Sequence, residues 1–338
     1  MKKTLVALAV LAASGASMAQ SSVTLYGLVD MVLHKDKNKI TSVSSTALTS
    51  GGVNTSRFGF KGTEDLGGGL KANFLLEQGF ALDTGAAGTA TSAGQAFDRQ
   101  AYVGLSGGFG EVKLGKVFTA YDDFAGATNP VFNSNVLSPG KMLKVENSYN
   151  DRPANGLYYS TPSFSGFSGA ISTSLAEGNP ILKPAVPATL TTPFVPAVHV
   201  AQTSAFHVKY EGGPVVVGLA YQVEKATPTT VDTKFTRLNA SYDFGVAKVM
   251  GGYGLYKPDG GTDSKEMTIG VDVPVSANLT LSAGYASSKP DNGKRADSYA
   301  AGAAYSLSKR TTLYGGLRND NDAAGGLRRF GAGVMHTF

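Results

Sequence analysis

Apolar and polar residues alternate with a period of two along most of the chain from Val23 to the C-terminus. Leu70, Ala72, Phe74 and Leu76 fall on one face of an extended segment, and Lys71, Asn73 and Glu77 fall on the other. Phe206, Val208 and Tyr210 oppose His207, Lys209 and Glu211 in the same way, and Met267, Ile269, Val271 and Val273 oppose Thr268 and Asp272. The stretches Val215 to Tyr221, Leu279 to Tyr285 and Phe330 to Phe338 repeat the pattern. A side-chain period of two belongs to a strand whose faces meet different surroundings, and helix-length amphipathic patterns are scarce after residue 20. The pattern predicts an all-β protein.

Alternation does not say which face is inside, because a sandwich buries its apolar face and a membrane barrel turns that face outward. The connections distinguish the two. Short links are predicted at Asp65 to Gly69, Gly107 to Gly110, Ser163 to Gly166, Glu211 to Pro214, Asp243 to Gly245, Pro274 to Asn278 and Leu307 to Arg310. Between them lie long polar connections near residues 35–53, 81–97, 119–154, 176–200, 224–233, 257–264, 288–296 and 318–328. Such alternation is the asymmetry of a transmembrane barrel with short periplasmic turns and long outer loops. Seven short and eight long links join sixteen antiparallel strands, so both chain ends fall at the periplasmic rim. A barrel of that size encloses a water-filled channel rather than a packed core. The Pro-rich stretch Pro180 to Pro196 reads as an outer loop, since proline cannot sit in a barrel strand.

Lys2 and Lys3, the apolar run Leu5 to Ala13 and the small residues ending in Ser17-Met18-Ala19 have the layout of a cleavable secretory leader. Residues 1–19 are thus expected to be removed, leaving one barrel domain over residues 20–338 that begins at Gln20. The apolar run is far shorter than the roughly twenty residues of a spanning helix. Taking Lys2 and Lys3 from 30 basic residues leaves 28 against 25 acidic ones, a net +3. These charges are scattered, which argues against a nucleic-acid partner. The absence of cysteine excludes disulfides, thiolate catalysis and cysteine metal ligands. With 43 glycines and only 16% charged residues, the chain is still too polar overall for a helical membrane protein, and it suits a barrel in which alternate residues meet lipid.

The segments Ser22 to Asp30 (SVTLYGLVD), Arg57 to Gly69 (RFGFKGTEDLGGG), Tyr102 to Gly115 (YVGLSGGFGEVKLG) and Tyr159 to Gly166 (YSTPSFSG) resemble the trimeric general porins of Gram-negative outer membranes, in their β-proteobacterial branch. The closing Val334-Met335-His336-Thr337-Phe338 fits the same family, and the likeness runs the length of the mature chain. The resemblance implies a homotrimer of sixteen-stranded barrels. It also implies that the third long loop, about Thr119 to Asn150, folds into each lumen to form its narrowest point. Phe338 would be the signal read by the outer-membrane barrel assembly machinery.

By the same resemblance Arg57, Arg99 and Arg152 match a basic cluster on the wall of the constriction, and Asp122, Asp123 and Glu146 match acids on the inward-folded loop. The acidic Pro-Glu-Phe-Gly-like tip of enterobacterial members is missing; Asn129-Pro130-Val131-Phe132 stands there, with Lys141 and Lys144 beyond. Parity supports inward arginines: Phe58 and Phe60 toward lipid put Arg57 in the lumen, and Tyr102 and Gly104 outward put Arg99 there. An arginine facing the hydrocarbon midplane would cost about 2 to 4 kcal/mol.

No Gly-x-Ser-x-Gly elbow, His-Glu-x-x-His or phosphate loop occurs, and the four histidines share no evident site, so neither an enzyme, a metal site nor a cofactor is expected. The acidic Asn319 to Asp322 reads as a solvated outer loop, with calcium binding as the alternative. The expectation is an outer-membrane channel, surrounded by lipid, for passive diffusion of ions and small hydrophilic solutes, with anions passing at least as well as cations. The alternatives are a channel selective for a sugar or acidic metabolite, and a structural or adhesive barrel.

Overall fold

The structure, a computed structural model, describes residues 22–88, 95–175, 181–183, 198–227, 232–321 and 326–338. The expected leader and most of the Pro180 to Pro196 stretch lie outside the described residues. The strands are β1 Ser22–Asn38, β2 Ser44–Ser50, β3 Arg57–Gly67, β4 Leu70–Gly79, β5 Gln100–Gly107, β6 Gly110–Lys116, β7 Gly156–Ser160, β8 Phe167–Ser174 and β9 Ile181–Lys183. They continue as β10 Val198–Gly212, β11 Val215–Thr227, β12 Thr233–Asp243, β13 Lys248–Pro258, β14 Ser264–Pro274, β15 Leu279–Pro290, β16 Ala296–Ser306, β17 Thr311–Asn321 and β18 Leu327–Thr337.

These eighteen segments fill sixteen antiparallel positions. β2 and β3 share one position, since the far half of β1 pairs with β2 and its near half with β3. β8 and β9 likewise share the neighbour β10. The sheet closes where β1 meets β18, from Leu28 opposite Thr337 to Asn38 opposite Leu327. Phe338 adds a last rung: Gly27 N–H donates to its carbonyl at 3.1 Å and its own N–H donates back to the Gly27 carbonyl at 3.0 Å. Closure leaves no unpaired edge, which is what allows strands to cross lipid. The seven predicted short links are all turns between neighbouring strands; in the first, Gly67, Gly68 and Gly69 have φ of 85°, 62° and 82°, a run that only glycine adopts freely.

Burial is inside-out. Val103, Leu114, Ile171, Val208, Ile269 and Phe330 are each more than half exposed, while Asp30, Arg237, Asn239 and Glu266 are fully buried. A soluble sandwich would show the reverse, and a lipid-facing belt around a polar lumen shows this.

Three expectations need correction. On β5 it is Val103 and Leu105 that face lipid, at 58% and 45% exposure, while Tyr102 turns inward and lies under the Lys113 ammonium. The branched aliphatic residues take the apolar side, and the phenol takes the side where its hydroxyl is wet. The first long connection is mostly strand, because β1 and β2 extend as a hairpin and leave only residues 39–43 as a loop. Asn319 and Asp320 likewise end β17, where Asp320 is buried and accepts from Arg318 and Ser298, so this is not a solvated loop; Asp322 lies outside the described residues.

Candidate functional site

The long connection between β6 and β7 enters the lumen and follows its wall. It carries two single-turn helices, α1 (Asp122–Ala125) and α2 (Lys144–Asn147), and a 3-10 turn at Pro139–Met142. Its own short turns and side chains of the wall together satisfy its backbone. Ala120 N–H donates to Ser172 Oγ on β8 at 2.8 Å, and the Ala120 carbonyl accepts from His207 Nδ1 on β10 at 2.7 Å. Asn239 on β12 donates to the carbonyls of Phe124 and Ala125 at 2.6 and 3.0 Å. Val131 N–H donates to Ser282 Oγ on β15, and Ser134 Oγ donates to the Gly52 carbonyl.

The tip lies in a bed made by absent side chains. A Cβ on Gly270 would come within 2.3 Å of Pro130, and one on Gly284 within 2.1 Å of it. Val131, Phe132 and Asn133 then reverse the chain with φ of 56°, 61° and 49°. Such left-handed residues cost of order 1–3 kcal/mol each, and persist here because the fully buried Val131 and its neighbours fix the turn. On the return, Val145 N–H donates to Glu266 Oε2 at 2.9 Å and Asn150 N–H to Glu224 Oε1 at 2.5 Å.

Glu146 does not face water as expected. It is buried between loop and wall, where Arg237 Nη2 lies 2.7 Å from its Oε1 and Asn129 Nδ2 donates to its Oε2 at 2.7 Å. Arg237 also donates to Asn239 at 2.9 Å and to Thr268 at 2.8 Å, so the pair ties both arms of the loop to β12 and β14. Burial raises the Glu146 carboxyl above its ordinary value, against the pull of Arg237. Asp123 is exposed and accepts from Tyr158 on β7 at 2.5 Å. Asp122 is half-buried and accepts from Tyr149 at 2.7 Å; burial, with Asp151 adding to it, pushes its carboxyl up to about 7.

Among the described residues the loop's hydrogen bonds avoid β3, β4 and β5, and that stretch of wall carries Arg57 and Arg99. Arg57 opens β3, and its Nε lies 3.3 Å from Glu77 Oε2 on β4; Arg99, one residue ahead of β5, places Nε 2.8 Å from Glu77 Oε1. Tyr26 on β1 donates to Glu77 Oε2 at 2.9 Å. Arg99 is therefore on the lumen side although Tyr102 is too, because it precedes the strand and escapes its alternation. Arg152, just ahead of β7, has its own acid in Asp151 at 2.9 Å and lies over the Phe118 ring at 4.9 Å. No sequence pattern marks Glu77 as a bridge, Arg237 as the loop's partner on the wall, or the glycine bed.

The comparisons with known proteins return porins. The family model described as Gram-negative porin matches residues 4–325. The chain belongs to the Gram-negative porin family. It is 38% identical over 289 residues to outer membrane porin protein 32 of Delftia acidovorans, covering 81% of this chain and 76% of that protein. An outer membrane porin protein of Bordetella pertussis is 31% identical over 270 residues, covering 74% and 68%. Among solved structures, the anion-selective porin from Comamonas acidovorans superposes with a TM-score of 0.78 at 28% identity, covering 94% of this chain and all of that one. This porin sits in the outer membrane and forms a water-filled channel for passive diffusion of ions and small hydrophilic solutes, a reading its relatives favour over a substrate-selective channel.

Proposed function

We propose that the channel passes anions at least as readily as cations, through a constriction bounded by Arg57, Arg99 and Arg152 on the wall and by Asp122 and Asp123 on the loop. The observation that carries this is the division of one carboxylate between two guanidinium groups: Arg57 and Arg99 share Glu77, so a net positive charge stays on the wall. Glu146, which would have opposed it, is neutralised by Arg237. Charge at the narrowest point acts over the shortest distance with the least screening. That the similar Comamonas acidovorans protein is described as anion-selective supports the same sign. The test is a reversal potential across a planar bilayer in a low-salt potassium chloride gradient. Anion preference is expected at pH 8 and a stronger one at pH 6, since Asp122, titrating near 7, gives up its negative charge between them. Cation selectivity at both values would overturn the assignment.

The reading extends to assembly, and assigns no catalysis. Cleavage after Ala19 would yield a mature domain from Gln20 to Phe338. A homotrimer is supported by the small outward residues Ala303 and Ala332, with the remaining outer surface left to lipid, and is checked by mass in native conditions; Gly27, also small and outward by parity, is covered by the chain's own Phe338. Phe338 is assigned as the signal for the assembly machinery. Its ring fills the space over Gly27, where a Cβ would come within 2.4 Å of it. Deleting Phe338 is expected to lower outer-membrane levels severalfold while the channels that do insert keep their conductance; unchanged levels would rule out a signal.

A further inference from the structure

Below the arginine row, toward the Gly67 to Gly69 turn, the lumen wall opens into an alcove of about 380 Å³ lined by Thr24, Lys61, Thr63, Asn73, Tyr102 and Glu111. Register builds it: Thr24, Lys61, Leu75 and Tyr102 are successive cross-strand partners on β1, β3, β4 and β5, one rung around the wall. The rung lies four residues along β3 from Arg57, on the side of the short turns.

Lys61 sets this alcove apart. Its ammonium lies 5.1 Å from the centre of the Tyr26 ring, and the Tyr26 hydroxyl is turned away to Glu77. Several other lumen cations have acids: Arg57 and Arg99 have Glu77, Lys113 has Glu111 at 3.0 Å, Lys209 has Glu211 at 3.1 Å and Arg318 has Asp320 at 2.8 Å. Lys61 makes no ion pair among the described residues and is exposed to the lumen. A cation on an aromatic face is held in place without being neutralised, so its charge remains available to a solute. Around it stand the exposed hydroxyls of Thr24 and Thr63 and the amide of Asn73, which donates to Ser106 at 2.8 Å with one N–H and keeps a second. The one carboxylate, Glu111, already belongs to Lys113.

One unpaired ammonium with neutral donors beside it suits a small oxyanion, a carboxylate or a phosphate. We propose that the alcove is a second anion subsite, on the periplasmic side of the constriction, through which small oxyanions step after the arginine row. The proposal rests on the anion reading above and adds a place to it.

The probe is inorganic phosphate, titrated onto the short-turn side of full-length channels carrying potassium chloride current in a planar bilayer. The chloride current is expected to fall saturably. Lys61→Gln is expected to raise the half-blocking concentration by about fivefold or more, the loss of one unit charge about 4 Å away in bulk water. Lys61→Arg keeps the charge and is expected to keep the block. Arg57→Ser is expected to move the reversal potential and leave the half-blocking concentration unchanged, which separates the two assignments. Lys61 is exposed, so its variants are expected to fold, which their heat-modifiable mobility checks. A block that does not saturate, that survives Lys61→Gln, or that is lost in Arg57→Ser instead would overturn the subsite.

Discussion

Glu146→Ala is expected to turn a steady channel into one whose current flickers between levels. Glu146 and Arg237 have side-chain exposures of 2% and 0%, so the variant strands a buried guanidinium without its counter-charge. Removing one partner of such a pair costs about 3 to 5 kcal/mol, more than an exposed pair would by severalfold. The cost falls on the returning arm of the loop. The outgoing arm keeps its anchors at Ser172, Asn239 and Ser282, so the loop stays in the lumen while residues near α2 come away from the wall. Glu146→Gln, which keeps an acceptor for Asn129 but not the charge, is expected to fall between. Gly284→Val attacks the same loop from the wall, since any Cβ there meets Pro130. Because burial raises the Glu146 carboxyl, falling pH is expected to mimic the glutamine variant before ordinary carboxylates titrate. Single-channel recordings decide; a trace from Glu146→Ala as quiet as the parent would show that the clamp does not hold the loop.

The barrel was legible because each strand writes its own two faces into the sequence, and because the short links confine register to a few choices. Counting straight back from the turn at Gly67 to Gly69 puts Glu77 opposite Phe60; a bulge between Asp65 and Gly67 shifts the register by one, so that Glu77 lies opposite Gly59 and diagonally beside Arg57. Tyr102 was misplaced because an aromatic residue suits either a lipid belt or a wet lumen, and only its neighbours Val103 and Leu105 break the tie. The loop resisted in a different way. Its path is set by single contacts to side chains from β8 to β15, more than a hundred residues away for Asn239 and Ser282, and no local periodicity records such contacts. Glu146 looked like a water-facing acid for that reason: its sequence neighbours are polar, and its partner Arg237 sits on a strand whose inward face gives no sign of what it touches.

The largest change in selectivity is expected from the double variant Arg57→Ser, Arg99→Ser. In the parent, two guanidinium groups and one carboxylate leave the wall at +1; in the variant Glu77 stands alone and the wall becomes −1. Two unit charges about 4 Å apart interact by roughly 1 kcal/mol in bulk water and about 4 kcal/mol at an effective dielectric of 20. A swing of two units acts oppositely on anions and cations, so the anion-to-cation permeability ratio is expected to fall by at least about tenfold. Glu77→Gln should move it the other way, to +2, while also freeing both arginines from the acceptor that holds them. The triple variant with Glu77→Gln removes every charge and is expected to land between parent and double. The predicted order of anion preference is therefore Glu77→Gln, parent, triple, double. Reversal potentials at low salt, where charges are least screened, measure all four. If the double variant matches the parent, selectivity lies elsewhere along the lumen; if it moves but Glu77→Gln moves the same way, Glu77 acts by positioning the arginines rather than by its charge.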